Sequence, residues 1–147
     1  MIMERSEQAK DLFLSGYNCS QSVLLSFADD LKFSKELAQK MAAGFGGGMG
    51  KQQETCGALT GAIMVLGILK GEQVNNNDEL KAEAYGSVKR LTGEFKAIYN
   101  TTSCRELIGC DLNTVEGAAK FKEERIMENI CANCVKKAVE IVEEITN

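Results

Sequence analysis

The sequence predicts an all-α fold, a single compact multi-helix bundle, and three observations support this prediction. The chain contains no proline, the residue that most strongly disrupts helices. Apolar residues recur at spacings of three and four in most segments, as at Ala9, Leu12 and Phe13. No comparable stretch shows the strict alternation of a β-strand. The length of 147 residues suits one domain, which we expect to span 1–147.

In the first half of the chain, helices are predicted from apolar spacing and from residues that cap helix starts. Asn18, with Gln21 three residues later, is close to a capping box. A glycine-rich loop at Gly44–Gly50 is expected to precede the most apolar helix, which Cys56 opens and which we expect to be central. The helices predicted in this half cover 3–15, 19–31, 34–44 and 56–70.

In the second half, the polar stretch Glu72–Asn77 is predicted to be a loop. Ser103 and Asn113 are each followed three residues later by glutamate, the pattern of a capping box. The helix after Asn113 should therefore begin near Thr114. The helices predicted in this half cover 78–100, 104–109, 114–125 and 131–145.

Composition excludes several classes of function. The chain has 17 basic and 21 acidic residues, a net charge of -4, and no basic cluster, so no nucleic-acid binding is expected. The longest apolar run, Cys56–Leu69, is shorter than the ~20 residues that span a bilayer. The N-terminal segment lacks the apolar core of a signal peptide, and we expect a cytoplasmic protein. In a reducing compartment, cysteines are more often metal ligands or redox groups than crosslinks.

Four of the six cysteines are predicted to lie in the first turn of a helix, because each follows a residue type that caps helices. Unpaired backbone N–H groups and the helix dipole favour negative charge there. Such a site can lower a cysteine pKa from ~8.5 to roughly 3.5–7.5 and make the thiol a nucleophile or a metal ligand. Arg105 should lower the pKa of its neighbour further. The four are Cys19 after Asn18, Cys56 after Thr55, Cys104 after Ser103, and Cys131 two residues after Asn129.

The glycines around Cys56 do not form a nucleotide site. The segment 44–61 follows a predicted helix, where a dinucleotide-binding fingerprint would follow a strand, and Gln52 replaces the Ser or Thr of a phosphate loop. We interpret Gly44–Gly50 as a flexible connector. Small residues after Cys56 would let another backbone, or a second thiol, approach closely.

The roles of two cysteine pairs, Cys131 with Cys134 and Cys104 with Cys110, are ambiguous from the sequence. Cys131 and Cys134 form a CxxC pair without the histidine of a c-type haem site or the βαβ setting of thioredoxin. Both lie on an apolar stripe and are equally well explained as core residues. A disulfide between Cys104 and Cys110 is left open, because it depends on their Cα separation.

Together these residues resemble the bacterial and archaeal family named for its C_GCAxxG_C_C cysteine pattern, in which redox activity is inferred from the cysteines. The resemblance implies that Cys19, Cys56, Cys104 and Cys131 are the family cysteines and that Cys110 and Cys134 are additional. Two positions depart from the pattern: Ala132 replaces an expected proline, and Cys134 replaces an apolar residue. The similar segments are 16–23, 44–67, 104–112 and 131–142.

The first functional hypothesis is a thiol-dependent oxidoreductase that needs no cofactor. Cys56 would attack, Cys19 would resolve, and Cys104 with Cys131 would form a second pair. The electron donor or thiol substrate is unknown, and a homo-oligomer is left open. The sequence alone assigns neither.

Two alternatives remain. The same four cysteines, Cys19, Cys56, Cys104 and Cys131, could bind zinc or an iron–sulfur cluster, and the absence of histidine would make that site all-cysteine. Alternatively, the chain is a structural or interaction domain whose cysteines belong to the core.

Overall fold

The computed structural model describes residues 3–147, and most of the described residues are helical, which confirms the all-α prediction. Within this range no β-strand forms, although Thr55 and Ser103 make one isolated bridge. A 3-10 turn at Ala43–Phe45 precedes α5, and a π-helical turn at Met127–Cys131 runs directly into α10. The helices are α1 (Arg5–Leu14), α2 (Cys19–Ser26), α3 (Ala28–Leu31), α4 (Lys35–Ala42), α5 (Gly46–Met49), α6 (Gly57–Gly71), α7 (Asn77–Tyr99), α8 (Cys104–Ile108), α9 (Val115–Glu123) and α10 (Ala132–Thr146).

Capping side chains fix several helix starts. The Asn18 side chain accepts a hydrogen bond from the Gln21 N–H at 2.9 Å, and the Gln21 side chain accepts one from the Asn18 N–H at 3.0 Å. This is a complete capping box, which satisfies two backbone donors that the helix leaves unpaired. Ser103 caps α8 by accepting from the Glu106 N–H at 3.3 Å. These two predicted starts are therefore confirmed.

One predicted helix is interrupted, and one predicted cap is wrong although the helix begins near Thr114 as predicted. The helix predicted over 19–31 is interrupted at Phe27, whose φ of -103° and ψ of 3° separate α2 from α3. Asn113 does not cap the next helix, because the Thr114 hydroxyl accepts from the Gly117 N–H instead. The Asn113 amide donates to the Lys51 carbonyl at 2.9 Å and so links the segment before α9 to the glycine-rich region.

Helix α6 is the central element, as predicted. It packs against α2, α7 and α10, and its residues from Gly57 to Ala62 are all buried. None of the helices in the described part of the chain is both long and apolar enough to cross a membrane. Fully buried side chains of the core around α6 include Val23, Leu24, Leu59, Val65, Leu66, Leu91, Phe95, Val135, Val139 and Val142.

Two glycines on α6 allow α2 to approach closely. A Cβ atom added at Gly61 would lie 2.6 Å from the Ser20 carbonyl oxygen, and one at Gly57 would lie 3.0 Å from the Cys19 Cβ. A Cβ closer than 3.0 Å to another heavy atom forces the backbone to move. The absence of side chains at these positions therefore places Cys19 against the first turn of α6.

This contact yields a matched prediction. Gly61→Ala should destabilise the protein by about 1–3 kcal/mol, because the added methyl meets the backbone of α2. Gly67→Ala, in the same helix, should stabilise it by about 0.5–1 kcal/mol, because nothing lies within 4 Å of the added Cβ and alanine favours helix. Urea unfolding followed by circular dichroism measures both. Equal effects of the two variants would contradict the packing argument.

Candidate functional site

Five cysteines line one cavity of about 170 Å³. All four cysteines singled out from the sequence, Cys19, Cys56, Cys104 and Cys131, lie on its wall, and Cys134 lies there too. Cys110 is buried outside the lining, in a small cluster with Ile108 and Ile126. The rest of the wall is mainly apolar and includes Phe13, Leu107, Ile108, Leu112, Phe121, Met127 and Ile130; its polar side chains are Asn18 and Lys51.

Three of these cysteines lie at the starts of helices. Cys19 is the first residue of α2 and Cys104 is the first residue of α8, as predicted. Cys56 is itself the N-cap residue of α6, so Thr55 does not cap that helix. Thr55 pairs instead with Ser103 in the isolated bridge.

That bridge joins the segments that carry Cys56 and Cys104. The Cys56 N–H donates to the Thr102 carbonyl at 2.8 Å, and the Cys104 N–H donates to the Glu54 carbonyl at 2.7 Å. Two helix starts that are far apart in sequence are thereby hydrogen-bonded side by side. No pattern in the sequence predicts this pairing, because each segment is too short to show strand periodicity.

The position predicted for Cys131 is wrong. The helix does not begin after Asn129, because the Asn129 N–H already donates to the Arg125 carbonyl at 2.9 Å. Cys131 is the last residue of the π-helical turn that leads into α10, and Cys134 follows one turn later. Single π turns inside helices are frequent at functional sites. Here the turn coincides with the point where both thiols reach the cavity.

The glycine-rich segment forms a wall of the cavity. Gly48 has a φ of +69°, and a Cβ added there would lie 2.8 Å from the Cys104 Cβ and 2.7 Å from the Glu54 nitrogen. The Gln53 and Glu54 N–H groups donate back to the carbonyls of Gly47 and Gly48 at 3.0 Å. The segment interpreted as a connector is therefore folded onto itself, and Gly48 leaves the space that Cys104 fills.

Gln53 has a structural role that no sequence pattern predicts. This side chain is buried, donates to the Cys110 carbonyl at 2.7 Å and accepts from the Leu112 N–H at 2.7 Å. It thereby fixes the segment after α8, from which Leu112 contributes to the cavity wall. In the sequence Gln53 is one of several polar residues in a row, and nothing distinguishes it from Gln52.

Cys56 is the thiol that the site favours in its charged form. Its pKa is lowered chiefly because the Cys134 thiol donates a hydrogen bond to its sulfur. The burial of Cys56 opposes this effect, and the N–H groups of Ala58 and Leu59 at the start of α6 add to it. A hydrogen bond to the charged form lowers a pKa, and helix N-termini do so as well.

The other thiols on the wall are held neutral. Burial is the main cause that raises the pKa of Cys104 to about 11 and that of Cys131 to about 12. Burial also raises the pKa of Cys19 well above its ordinary value, and a charge on Cys56 raises it further. The pKa of Cys134 is raised first by its hydrogen bond to Cys56 and then by burial.

The prediction that Arg105 would lower the pKa of Cys104 is therefore wrong. Burial dominates at Cys104, whereas the exposed Arg105 guanidinium lies 3.5 Å from an Asp111 carboxylate oxygen. Of the four cysteines singled out from the sequence, Cys56 is the one whose pKa is lowered overall, because a second thiol supplies a hydrogen bond there. At the other positions, desolvation of the charged form outweighs the helix start.

The arrangement does not fit a preformed metal site. Zinc and iron–sulfur sites need thiolates converging on one centre. Within residues 3–147, no group of three or more cysteine, aspartate or glutamate side chains is arranged to hold a metal ion. In the same range all six cysteines are free thiols, so Cys104 and Cys110 are not joined.

Comparison with known proteins identifies the family of this chain. The family model described as "Putative redox-active protein (C_GCAxxG_C_C)" matches residues 17–145. The chain belongs to this family. Over 151 aligned residues the chain is 28% identical to a protein of Archaeoglobus fulgidus, named "Uncharacterized protein", across 95% of this chain and 93% of the other. No solved structure matches the chain.

The raised pKa of Cys104 predicts slow alkylation of this thiol. A thiol of pKa about 11 is almost entirely protonated at neutral pH, so Cys104 should react with iodoacetamide more than about a hundredfold more slowly at pH ~8 than a free cysteine. Its rate should keep rising as the pH rises towards that pKa. Arg105→Gln should leave this profile unchanged, because burial sets the pKa.

Arg125→Gln, at another exposed arginine, is the matched control, and peptide mass spectrometry measures alkylation at Cys104. A profile shifted to higher pH in Arg105→Gln alone would show that the guanidinium acts on the thiol after all.

Proposed function

We propose that this member of a redox-active family catalyses thiol–disulfide exchange with Cys56 as the attacking thiolate. The observation that carries the proposal is the convergence of five thiols on one cavity, where Cys56 alone has a lowered pKa. Only the thiolate form of cysteine is a strong nucleophile. The neutral neighbours leave Cys56 as the group that attacks near neutral pH.

The proposed reaction balances as a two-electron exchange. The Cys56 thiolate attacks one sulfur of a disulfide substrate, which forms a mixed disulfide and releases one thiolate that takes up a proton. A second protein thiol then attacks the Cys56 sulfur, loses its proton, and releases the other half of the substrate as a thiol. One substrate disulfide is reduced to two thiols while two protein thiols become one disulfide. A dithiol electron donor reverses these steps and restores the protein.

Cys19 lies against the segment that carries Cys56. Its Cβ would lie 3.0 Å from a Cβ added at Gly57, so the two thiol-bearing segments are in close contact. Cys104 and Cys131 both pack against the small cluster around Cys110. The sequence-based pairings of Cys19 with Cys56 and of Cys104 with Cys131 remain predictions that disulfide mapping can decide.

The cavity also suggests the substrate class. About 170 Å³ is close to the volume of an engineered protein cavity, about 150 Å³, that binds benzene. The apolar side chains on the wall, such as Phe13 and Phe121, favour a disulfide with a small aromatic or short aliphatic substituent. Lys51, exposed at the edge of this cavity, is the one cationic side chain that lines it. We propose that the exchange takes place in the reducing cytoplasm, where thiols of this kind persist.

A stoichiometric reaction with dithiodipyridine tests the proposal. One equivalent added to the reduced protein near neutral pH should release two thiopyridones per chain in a rapid phase, and the protein should lose two hydrogens in mass. Cys56→Ala should lose the rapid phase. Cys110→Ala, at a buried cysteine outside the cavity, is the control and should retain it.

Two results would contradict the proposal. Uniformly slow reaction of all six thiols without an internal disulfide would favour core cysteines in a structural domain. Zinc or an iron–sulfur chromophore in anaerobically purified protein would favour the metal-binding alternative.

A further inference from the structure

Lys51 is the one charged side chain on the wall of the cavity that the five cysteines line, among the residues that the structure describes. Within residues 3–147 its amine forms no ion pair with a carboxylate. The amide of Asn18 is engaged at both ends, because its oxygen accepts from the Gln21 N–H at 2.9 Å and its nitrogen donates to the Ala43 carbonyl at 3.0 Å. Apart from the thiols, Lys51 is therefore the polar group of the wall that is available to a ligand.

The backbone of Lys51 is held in place on both sides. Its N–H donates to the Gly46 carbonyl at 3.1 Å, and its carbonyl accepts from the Asn113 amide at 2.9 Å. Its φ of +63° lies in the left-handed region, which favours glycine and which lysine adopts only at a cost in free energy. Strained residues of this kind cluster at functional sites, so the side chain that the backbone carries here is a candidate for a role in binding.

The side chain of Lys51 packs over a glycine that also lines the cavity. A Cβ atom added at Gly47 would lie 2.9 Å from the Lys51 Cγ and 3.4 Å from the Lys51 Cβ. Gly47 thus leaves the space that the lysine stem fills. A lysine stem can lie along an apolar surface while its amine stays in water. Because Lys51 is exposed, this packing places a cation at the edge of the cavity and not deep inside it.

We infer that Lys51 selects disulfide substrates that carry an anionic group, a carboxylate on a short substituent. This inference rests on the proposed function and adds a charge to the substrate class given there. Pockets for small ligands are mostly apolar and use a few polar groups to fix the orientation of the ligand. Here the apolar wall would contact the carbon part of the substituent, and the Lys51 amine would bind the carboxylate while the disulfide reaches Cys56.

The charge of the protein makes such a cation necessary for an anionic substrate. The chain has a net charge of -4, and in the proposed reaction the attacking Cys56 thiolate is also negative. Both repel an anionic disulfide as it approaches. A cation at the edge of the cavity offsets this repulsion close to the reacting sulfurs. Lys51 acts on binding alone, because no proton or electron passes through its amine in the exchange.

Two disulfides that differ in charge test the inference. Dithiodipropionate carries two carboxylates, and its diamide is neutral and has nearly the same shape. Each is added in excess to the reduced protein near neutral pH, and maleimide labelling with mass spectrometry follows the loss of free thiols. Lys51→Gln should lower the ratio of the diacid rate to the diamide rate by about two- to fivefold, the range of an exposed ion pair. High salt should lower the wild-type ratio towards that of the variant.

Three further variants separate the charge of Lys51 from other effects. Lys51→Arg keeps the cation and should keep the wild-type ratio. Lys32→Gln is the matched control, because Lys32 is also exposed, has a φ of +60° and forms no ion pair in the described range, but lies outside the cavity lining. It removes the same net charge and should keep the wild-type ratio. Lys51→Gly should show the lowered ratio without a lower urea midpoint, because glycine suits this φ.

A wild-type ratio in Lys51→Gln, or an equal fall in Lys32→Gln, would overturn the inference. Either result would leave the proposed exchange intact, because the reaction with dithiodipyridine, which is uncharged, reports that exchange separately. Failure of the wild type to react with dithiodipyridine would instead overturn the proposed function.

Discussion

The close approach of α2 to the start of α6 is the contact on which the site depends. Gly57 and Gly61 leave no side chain between the two helices, and Ser20 and Cys19 occupy that space. The backbone bridge between Thr55 and Ser103 then brings α8 to the same point. Three chain segments thus meet at the N-terminus of α6, the most apolar helix. The π-helical turn before α10 carries Cys131, the cysteine of the fourth segment. The thiols converge because the backbones do.

This convergence creates an electrostatic constraint. Several thiolates in a small apolar cavity would repel one another, and each would lose its hydration, so the site can support little negative charge. Cys56 is the one thiol of the cavity whose pKa is lowered, chiefly by a hydrogen bond from Cys134 and further by the N–H groups of Ala58 and Leu59 at the start of α6. Burial raises the pKa of Cys19, Cys104 and Cys131, and at Cys134 the hydrogen bond to Cys56 raises it first and burial second. In the proposed function, the reactivity of Cys56 and the protection of the other thiols would have the same physical origin.

The parts of the fold predicted from sequence are those set by local interactions. Apolar periodicity identified α7 almost to its ends, and the side chains of Asn18 and Ser103 marked helix starts, because capping acts within four residues. The glycines after Cys56 correctly indicated a close approach. The predictions that were wrong concern features that depend on contacts between residues distant in sequence. No local sequence pattern marks three of these features. They are the Thr55–Ser103 bridge, the continuous helix through Cys131, and the burial that outweighs the effect of Arg105 on the Cys104 pKa.

The most direct test of this account is the number of thiolates in the reduced protein near neutral pH, measured by the ultraviolet absorbance of the thiolate. We predict a thiolate that titrates below the ordinary cysteine pKa in the wild type and is absent from Cys56→Ser, with the other four thiols of the cavity ionising only at alkaline pH. A thiolate that persists in Cys56→Ser, or six thiols that all ionise at the ordinary cysteine pKa, would contradict it.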